Sequence, residues 1–178
     1  RTFSSAASDV YKRQPWALSE FIKAAEMHDL PKVVSVQNAY NLLNRIYESG
    51  MSEFHHRSQV GLLAYSPLAQ GYLTGKYLDG ARPPGARTTL FERGQRYETE
   101  QAEEIIRKYV NLANEYSMDP ALMANSFVND QDFVTSNIIG ATTMEQLKIA
   151  VGSIDTKLDE ECLKKIEEIH YGCPNPCP

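Results

Sequence analysis

From Pro15 onward the chain alternates between two hydrophobic periods, and that alternation restricts its fold more than any other feature. Leu18, Phe21, Ile22 and Ala25 recur at i, i+3, i+4 and i+7, the spacing of an amphipathic helix that Pro15 can open and that ends before Pro31. Lys32 to Val36 is a short β-branched run and is expected to be a buried strand. Residues 43–58 read as a weak helix. Gly61 to Ser66 is a second strand, continuously apolar as strands covered on both faces are. Ala102, Ile105, Ile106, Tyr109, Val110 and Ala113 stripe a strongly periodic helix, and Asp119 with Pro120 supplies the N-cap and first residue of another containing Leu122, Met123 and Phe127. Phe133 to Ile139 forms a third strand. Thr143 and Gln146 fit a capping box, and Cys162, Leu163, Ile166 and Ile169 stripe a last helix. Alternating helices and strands imply an α/β fold with a parallel sheet.

About three strands against five or six helices is too little sheet for a complete doubly wound domain. Three parallel strands also leave two open edges, which folded domains normally pair or cover, so the expectation is an incomplete piece of a larger unit. Residues 1–14 show neither period, and the run from Ser4 to Gln14, SSAASDVYKRQ, looks like translated vector or adapter sequence; they are expected to be an artefact or a disordered tail, outside the fold. The domain is expected over residues 15–170, with residues 171–178 as a C-terminal tail.

Of 178 residues, 42% are hydrophobic and 23% charged, the make-up of a soluble globular protein. The longest apolar runs, such as Val60 to Tyr65, are far shorter than the roughly 18 to 20 residues of a membrane span, and no stretch has signal-peptide anatomy. A cytoplasmic protein without a membrane partner is expected. The net charge of −5, with both signs interleaved, lacks the basic footprint of a nucleic-acid binder. Cys162, Cys173 and Cys177 are an odd set crowded at one end, which is no disulfide framework. His170, Cys173 and Cys177 lack a fourth ligand and standard spacing, so no metal is expected. His55 and His56 read as solvated, and His28 and His170 sit near helix C-termini, where a cation suits the dipole.

The informative stretch is Gly61 to Tyr77, GLLAYSPLAQGYLTGKY, followed by a polar connection reaching Tyr97. It sets an aromatic ring, a hydroxyl, backbone N–H groups and a cation at the C-terminal mouth of a strand, where parallel α/β folds receive phosphorylated ligands. Loops of such length are usually functional or disordered. A second candidate is Gly140 to Gln146, GATTMEQ, between a strand and a helix whose free N-terminal amides favour an anion.

The motif Y-S-P-L-A-x-G-x-L-T-G-K-Y resembles the seventh-strand motif of the aldo-keto reductase superfamily, in the branch of the bacterial Tas-like reductases and the potassium channel β-subunits. The similarity extends from Trp16 to about His170, through WALSEFIKAAEMHDLPKVVSVQNAYNLLNR and FVTSNIIGATTMEQL. It implies the C-terminal part of a (β/α)8 TIM barrel, with NADPH (NADP+) across its C-terminal face. Gln37, at the end of VVSVQ, matches the glutamine that contacts the nicotinamide amide, and Tyr65 the aromatic that stacks on the ring. Ser66, Pro67, Leu68, Ala69, Gln70 and Gly71 match the turn lining the pyrophosphate, and Lys76 and Arg87 match basic positions of the loop closing over it. Gly140, Thr142 and Gln146 match the turn at the adenosine 2′-phosphate end. Ile149 and Ala150 depart from the pattern, standing where a Glu and an Asn commonly meet the adenine.

The chemistry implied is hydride transfer to a small-molecule carbonyl, with a tyrosine as general acid within an Asp, Tyr, Lys and His tetrad. Those residues belong to the first half of the barrel, and no residue here matches them, so no catalytic residue is assigned. The implied function is NADPH-dependent reduction of aldehydes or ketones by the intact parent protein, this chain being the cofactor-binding half and inactive alone. The alternative is a nucleotide-sensing accessory subunit of the channel-β type.

Overall fold

The computed structural model describes residues 15–91 and 95–177; the artefact reading of residues 1–14 lies outside them. Helix α1 (Pro15–Met27) leads into β1 (Ser35–Ala39), and α2 (Met51–Ser58) into β2 (Gly61–Tyr65). After a long connection containing the short helix α3 (Arg87–Phe91), α4 (Glu100–Glu115) and α5 (Pro120–Asn129) pack together before β3 (Val134–Ile138). Helices α6 (Met144–Gly152) and α7 (Glu160–Gly172) follow. The sheet order is β1-β2-β3, all parallel, an open arc of a (β/α) barrel.

Side chains alternate across a strand, so in-register partners of parallel strands share a face. Val36, Leu62 and Ala64 point to one face and are almost fully buried in a cluster with Tyr40, Phe127 and Phe133. Tyr40 stacks on Phe127 and meets Phe133 edge-on, with ring centroids 6.0 and 5.2 Å apart. All six stripe residues of α4 are buried or half-buried, as their period requires.

The caps follow their chemistry. Asp119 accepts from the Ala121 and Leu122 amides at 2.7 and 3.3 Å, with Pro120 at the first helical position. Asp119→Ala is expected to lower stability by about 1 kcal/mol in urea denaturation, because two N-terminal amides lose their acceptor; an unchanged midpoint would contradict that role for the cap.

Four local expectations are corrected. The first strand begins at Ser35, three residues later than Lys32, since β2 begins at Gly61 and Ser35 is its partner; just before it the Val34 carbonyl accepts from the Gly61 amide at 3.0 Å. Residues 43–58 split into a short 3-10 turn (Ile46–Ser49) and α2 at Gly50, whose φ of 168° is an extended value inside neither element. The disordered reading of the 67–97 connection gives way, among its described residues, to 3-10 turns at Ala69–Thr74, Leu78–Gly80 and Gln95–Tyr97. At α6 the Thr143 hydroxyl accepts from the Gln146 amide, but the Gln146 carboxamide reaches Thr142 instead of closing the box on Thr143.

Among the described residues no helix is long and apolar enough to cross a membrane.

Candidate functional site

The sheet face opposite the core is only half covered. Gln37, Leu63 and Ser136 lie in register across it, and one step toward the C-terminal ends come Ala39, Tyr65 and Ile138. Gln37, Leu63 and Tyr65 are half-buried, and Ile138 is exposed. Gln37 and Tyr65 therefore share a face, with the tyrosine nearer the mouth. Gln37 sits in the middle of β1, not at the strand end expected from VVSVQ, because pairing continues to Ala39. The face can take a flat ring against Tyr65 with a carboxamide below it.

Immediately after β2 the backbone turns left-handed three times without glycine: Ser66, Ala69 and Gln70 have φ of 57°, 48° and 59°, and Gly71 follows at 98°. Each non-glycine residue held there stores about 1 to 3 kcal/mol, which persists only when its surroundings enforce it, and such strain concentrates at ligand sites. The turn bonds to itself through Ala69 N–H to Ser66 O at 2.9 Å and Gly71 N–H to Leu68 O at 2.8 Å. Pro67 and Ala69 are buried beneath it and Leu68 packs against the core. The Gln70 Oε1 is buried without a hydrogen-bond partner.

Lys76 folds back over this turn. A Cβ added to Gly71 would come within 2.9 Å of both the Lys76 Cε and Nζ, so the absent side chain is what lets the ammonium lie there. The same ammonium sits 5.2 Å from the Tyr77 ring centroid. Among the described residues Lys76, Arg87 and Lys148 make no ion pair, whereas Arg82, Arg107 and Lys108 each hold a carboxylate. Arg87 is exposed at the start of α3. The connection after β2 thus offers cations without internal counter-charges beside a strained backbone turn, an arrangement suited to an anion.

The third group, Gly140, Thr142 and Gln146, follows β3 at the same end of the sheet and is fully on the surface. The Gln146 Oε1 accepts from the Thr142 amide at 2.9 Å and from its hydroxyl at 3.1 Å. An anion reaching Thr142 would have to displace that carboxamide. Ile149 and Ala150 are half-buried on α6.

Periodicity missed two buried polar residues. Asn41 is completely buried; its Nδ2 donates to the Ser66 carbonyl at 2.9 Å and its Oδ1 accepts from the Leu43 amide at 2.9 Å. Arg45, 7% exposed, forks onto Glu48 at 2.6 and 2.8 Å and reaches Glu167 of α7 at 2.7 Å. Burial works against the Arg45 charge, but the hydrogen bonds to Glu48 and Glu167 outweigh it and raise its pKa. The signal available was the polar bracket Asn41, Asn44 and Arg45 around Leu42-Leu43, since polar residues inside an apolar environment must be bonded.

A cleft of about 230 Å³ lies among Tyr72, Tyr77, Tyr97, Arg82 and Glu98, and it contains none of the cofactor contacts that the resemblance implies. Its polar groups are already engaged, Tyr72 donating to Glu98 at 2.6 Å and Arg82 pairing with Glu98 at 2.8 Å. Burial and the Glu98 carboxylate push the Tyr72 hydroxyl up to about 12, which keeps it protonated and a poor acid. The three-strand arc leaves the Tyr65 end of the sheet only half covered. Among the described residues no three His, Cys, Asp or Glu side chains gather as a metal site.

Residues 15–170 match the model of the aldo/keto reductase family. Protein tas of Escherichia coli (strain K12) is 46% identical over 163 residues, covering 92% of this chain and 47% of that protein. An aldo-keto reductase of Babesia bovis is 34% identical over 170 residues, 91% of this chain and 60% of its own length. L-glyceraldehyde 3-phosphate reductase of Escherichia coli (strain K12) is 36% identical over 127 residues, 67% of this chain and 36% of that enzyme. The chain spans about half the length of the curated relatives it matches. With a parallel arc of strands, a strained turn beyond the second of them and a family match over nearly the whole described length, the chain belongs to the aldo/keto reductase family, a family of oxidoreductases.

Proposed function

We propose that this chain forms the cofactor-binding part of an NADPH-dependent reductase of aldehydes and ketones. Tyr65 stacks on the nicotinamide and Gln37 meets its amide. The Ser66 to Gly71 turn, Lys76 and Arg87 surround the pyrophosphate, while Gly140, Thr142 and Gln146 take the 2′-phosphate end. The observation that carries the reading is the unpaired Lys76 ammonium lying over Gly71 beside three left-handed residues. The unpartnered Gln70 Oε1 adds a buried acceptor within the same turn. When bound, the cofactor supplies the hydride; these residues orient it and neutralise its phosphates.

Fluorescence titration of the chain with NADPH tests this. Binding is expected to be tighter than for NADH. Lys76→Ala is expected to weaken it about tenfold, the low end for a charge-assisted contact because Lys76 is solvent-exposed. The relatives' names support carbonyl reduction by the whole protein. The chain alone is expected to give no turnover of NADPH with a carbonyl panel, because none of its residues matches the family's proton-transfer tetrad. Absence of NADPH binding would overturn the cofactor assignment, and turnover by the chain alone would overturn the assignment of its share in the chemistry.

A further inference from the structure

We infer that Asn41 is the positioning residue of the cofactor turn: its buried carboxamide holds Ser66 in the left-handed conformation on which the path of the next five residues depends. The inference rests on the cofactor reading above. Ser66 is where the chain leaves β2 and reverses, and a serine gains nothing intrinsic from a φ of 57°. Something must hold it. The Ser66 carbonyl receives two donors, the Ala69 amide from within the turn at 2.9 Å and the Asn41 Nδ2 from outside it at 2.9 Å. The second comes from outside the turn, so it ties Ser66 to the segment that follows β1.

Asn41 is itself immobilised. Its Oδ1 accepts from the Leu43 amide at 2.9 Å, and its backbone pairs with Asn44 in both directions at 3.2 and 2.9 Å. The adjoining strand ends are tied in parallel by Tyr40 N–H to Tyr65 O at 3.3 Å. One side chain thus links the segment after β1 to the start of the turn. Being completely buried, it cannot touch a ligand and acts through Ser66.

The test compares the full chain with Asn41→Ala and with Asn41→Asp, which keeps the acceptor for Leu43 but removes the donor to Ser66. Each is titrated with NADPH and, separately, with adenosine 2′-monophosphate, which lacks the pyrophosphate and reports on the 2′-phosphate end alone; near-ultraviolet circular dichroism establishes folding at the assay temperature. Both variants are expected to weaken NADPH about tenfold, the loss of one buried hydrogen bond expressed as turn disorder. Affinity for adenosine 2′-monophosphate is expected to stay within about twofold, because the two ends are separate sites. NADPH affinity unchanged in either variant would overturn the inference, as would parallel loss of both ligands or failure of both variants to fold, each of which assigns Asn41 to the fold alone. Failure of the unsubstituted chain to bind NADPH marks the collapse of the cofactor reading itself, and the inference falls with it.

Discussion

Replacing Arg45 by alanine is expected to lower the unfolding free energy by roughly 3 kcal/mol, at the lower end of the range for breaking a buried ion pair. The guanidinium is 7% exposed and serves three elements: it forks onto Glu48, reaches Glu167 of α7, and lies 5.2 Å from the Phe127 ring centroid. Removing it abandons Glu48, which also accepts from the Tyr40 hydroxyl at 2.5 Å. Water can reach Glu48 and Glu167, 29% and 36% exposed, and that access keeps the loss from being larger. Arg45→Lys is expected to recover less than half, since an ammonium cannot make the two-pronged contact. Urea unfolding followed by circular dichroism measures both; a loss under about 1 kcal/mol for the alanine variant would show the cluster to be an ordinary surface pair.

Gly61→Ala carries the second large effect, about 2 kcal/mol, the middle of the range for overfilling a packed site. A Cβ on Gly61 would run into the Thr135 hydroxyl and lie 3.0 Å from its Cβ. Thr135 occupies that space because the β2 to β3 ladder shifts register between Leu62 and Leu63, leaving Thr135 as the extra residue. The glycine is thus needed for the bulge and not for a special φ. The double variant Gly61→Ala, Thr135→Gly is expected to recover most of the loss. If the single substitution leaves the thermal midpoint unchanged, or Thr135→Gly fails to rescue it, the clash is not what selects glycine.

How far these features could be read in advance depended on whether their cause was local. The α4 stripe and the caps at Asp119 and Thr143 are written in adjacent residues, and they appear where the periods and capping chemistry put them. The β1 boundary is not local, because it is set by where Gly61 begins to offer a partner, and the apolar run Val33-Val34 carries no information about that. The turns within 67–97 are likewise held by side-chain packing, as in the tilted contacts of the Tyr72 ring with Tyr77 and Tyr97, centroids 4.6 and 5.3 Å apart. For the site, residue resemblance brought Tyr65, the Ser66 to Gly71 turn and Lys76 to one end of the sheet, and the structure gathers those together. It could not show Asn41 or Arg45, whose importance lies in being buried while polar. Nor could it show that Gln146 already occupies Thr142.

The Arg45 cluster also sets an order of events. Its bonds span 122 residues to Glu167 and 130 from the Arg45 amide to Asn175 Oδ1. Contacts of such separation require a large loop to close before they return anything, so they form late. During synthesis the end of β1 and the loop carrying Asn41 emerge long before their closing partners, and domains are generally completed as units only when the chain is available. Until α7 leaves the ribosome, the Arg45 charge has only Glu48 to answer it, and the loop beneath the Ser66 turn stands unlocked. Helix α7 is therefore the element that fastens the loop following β1.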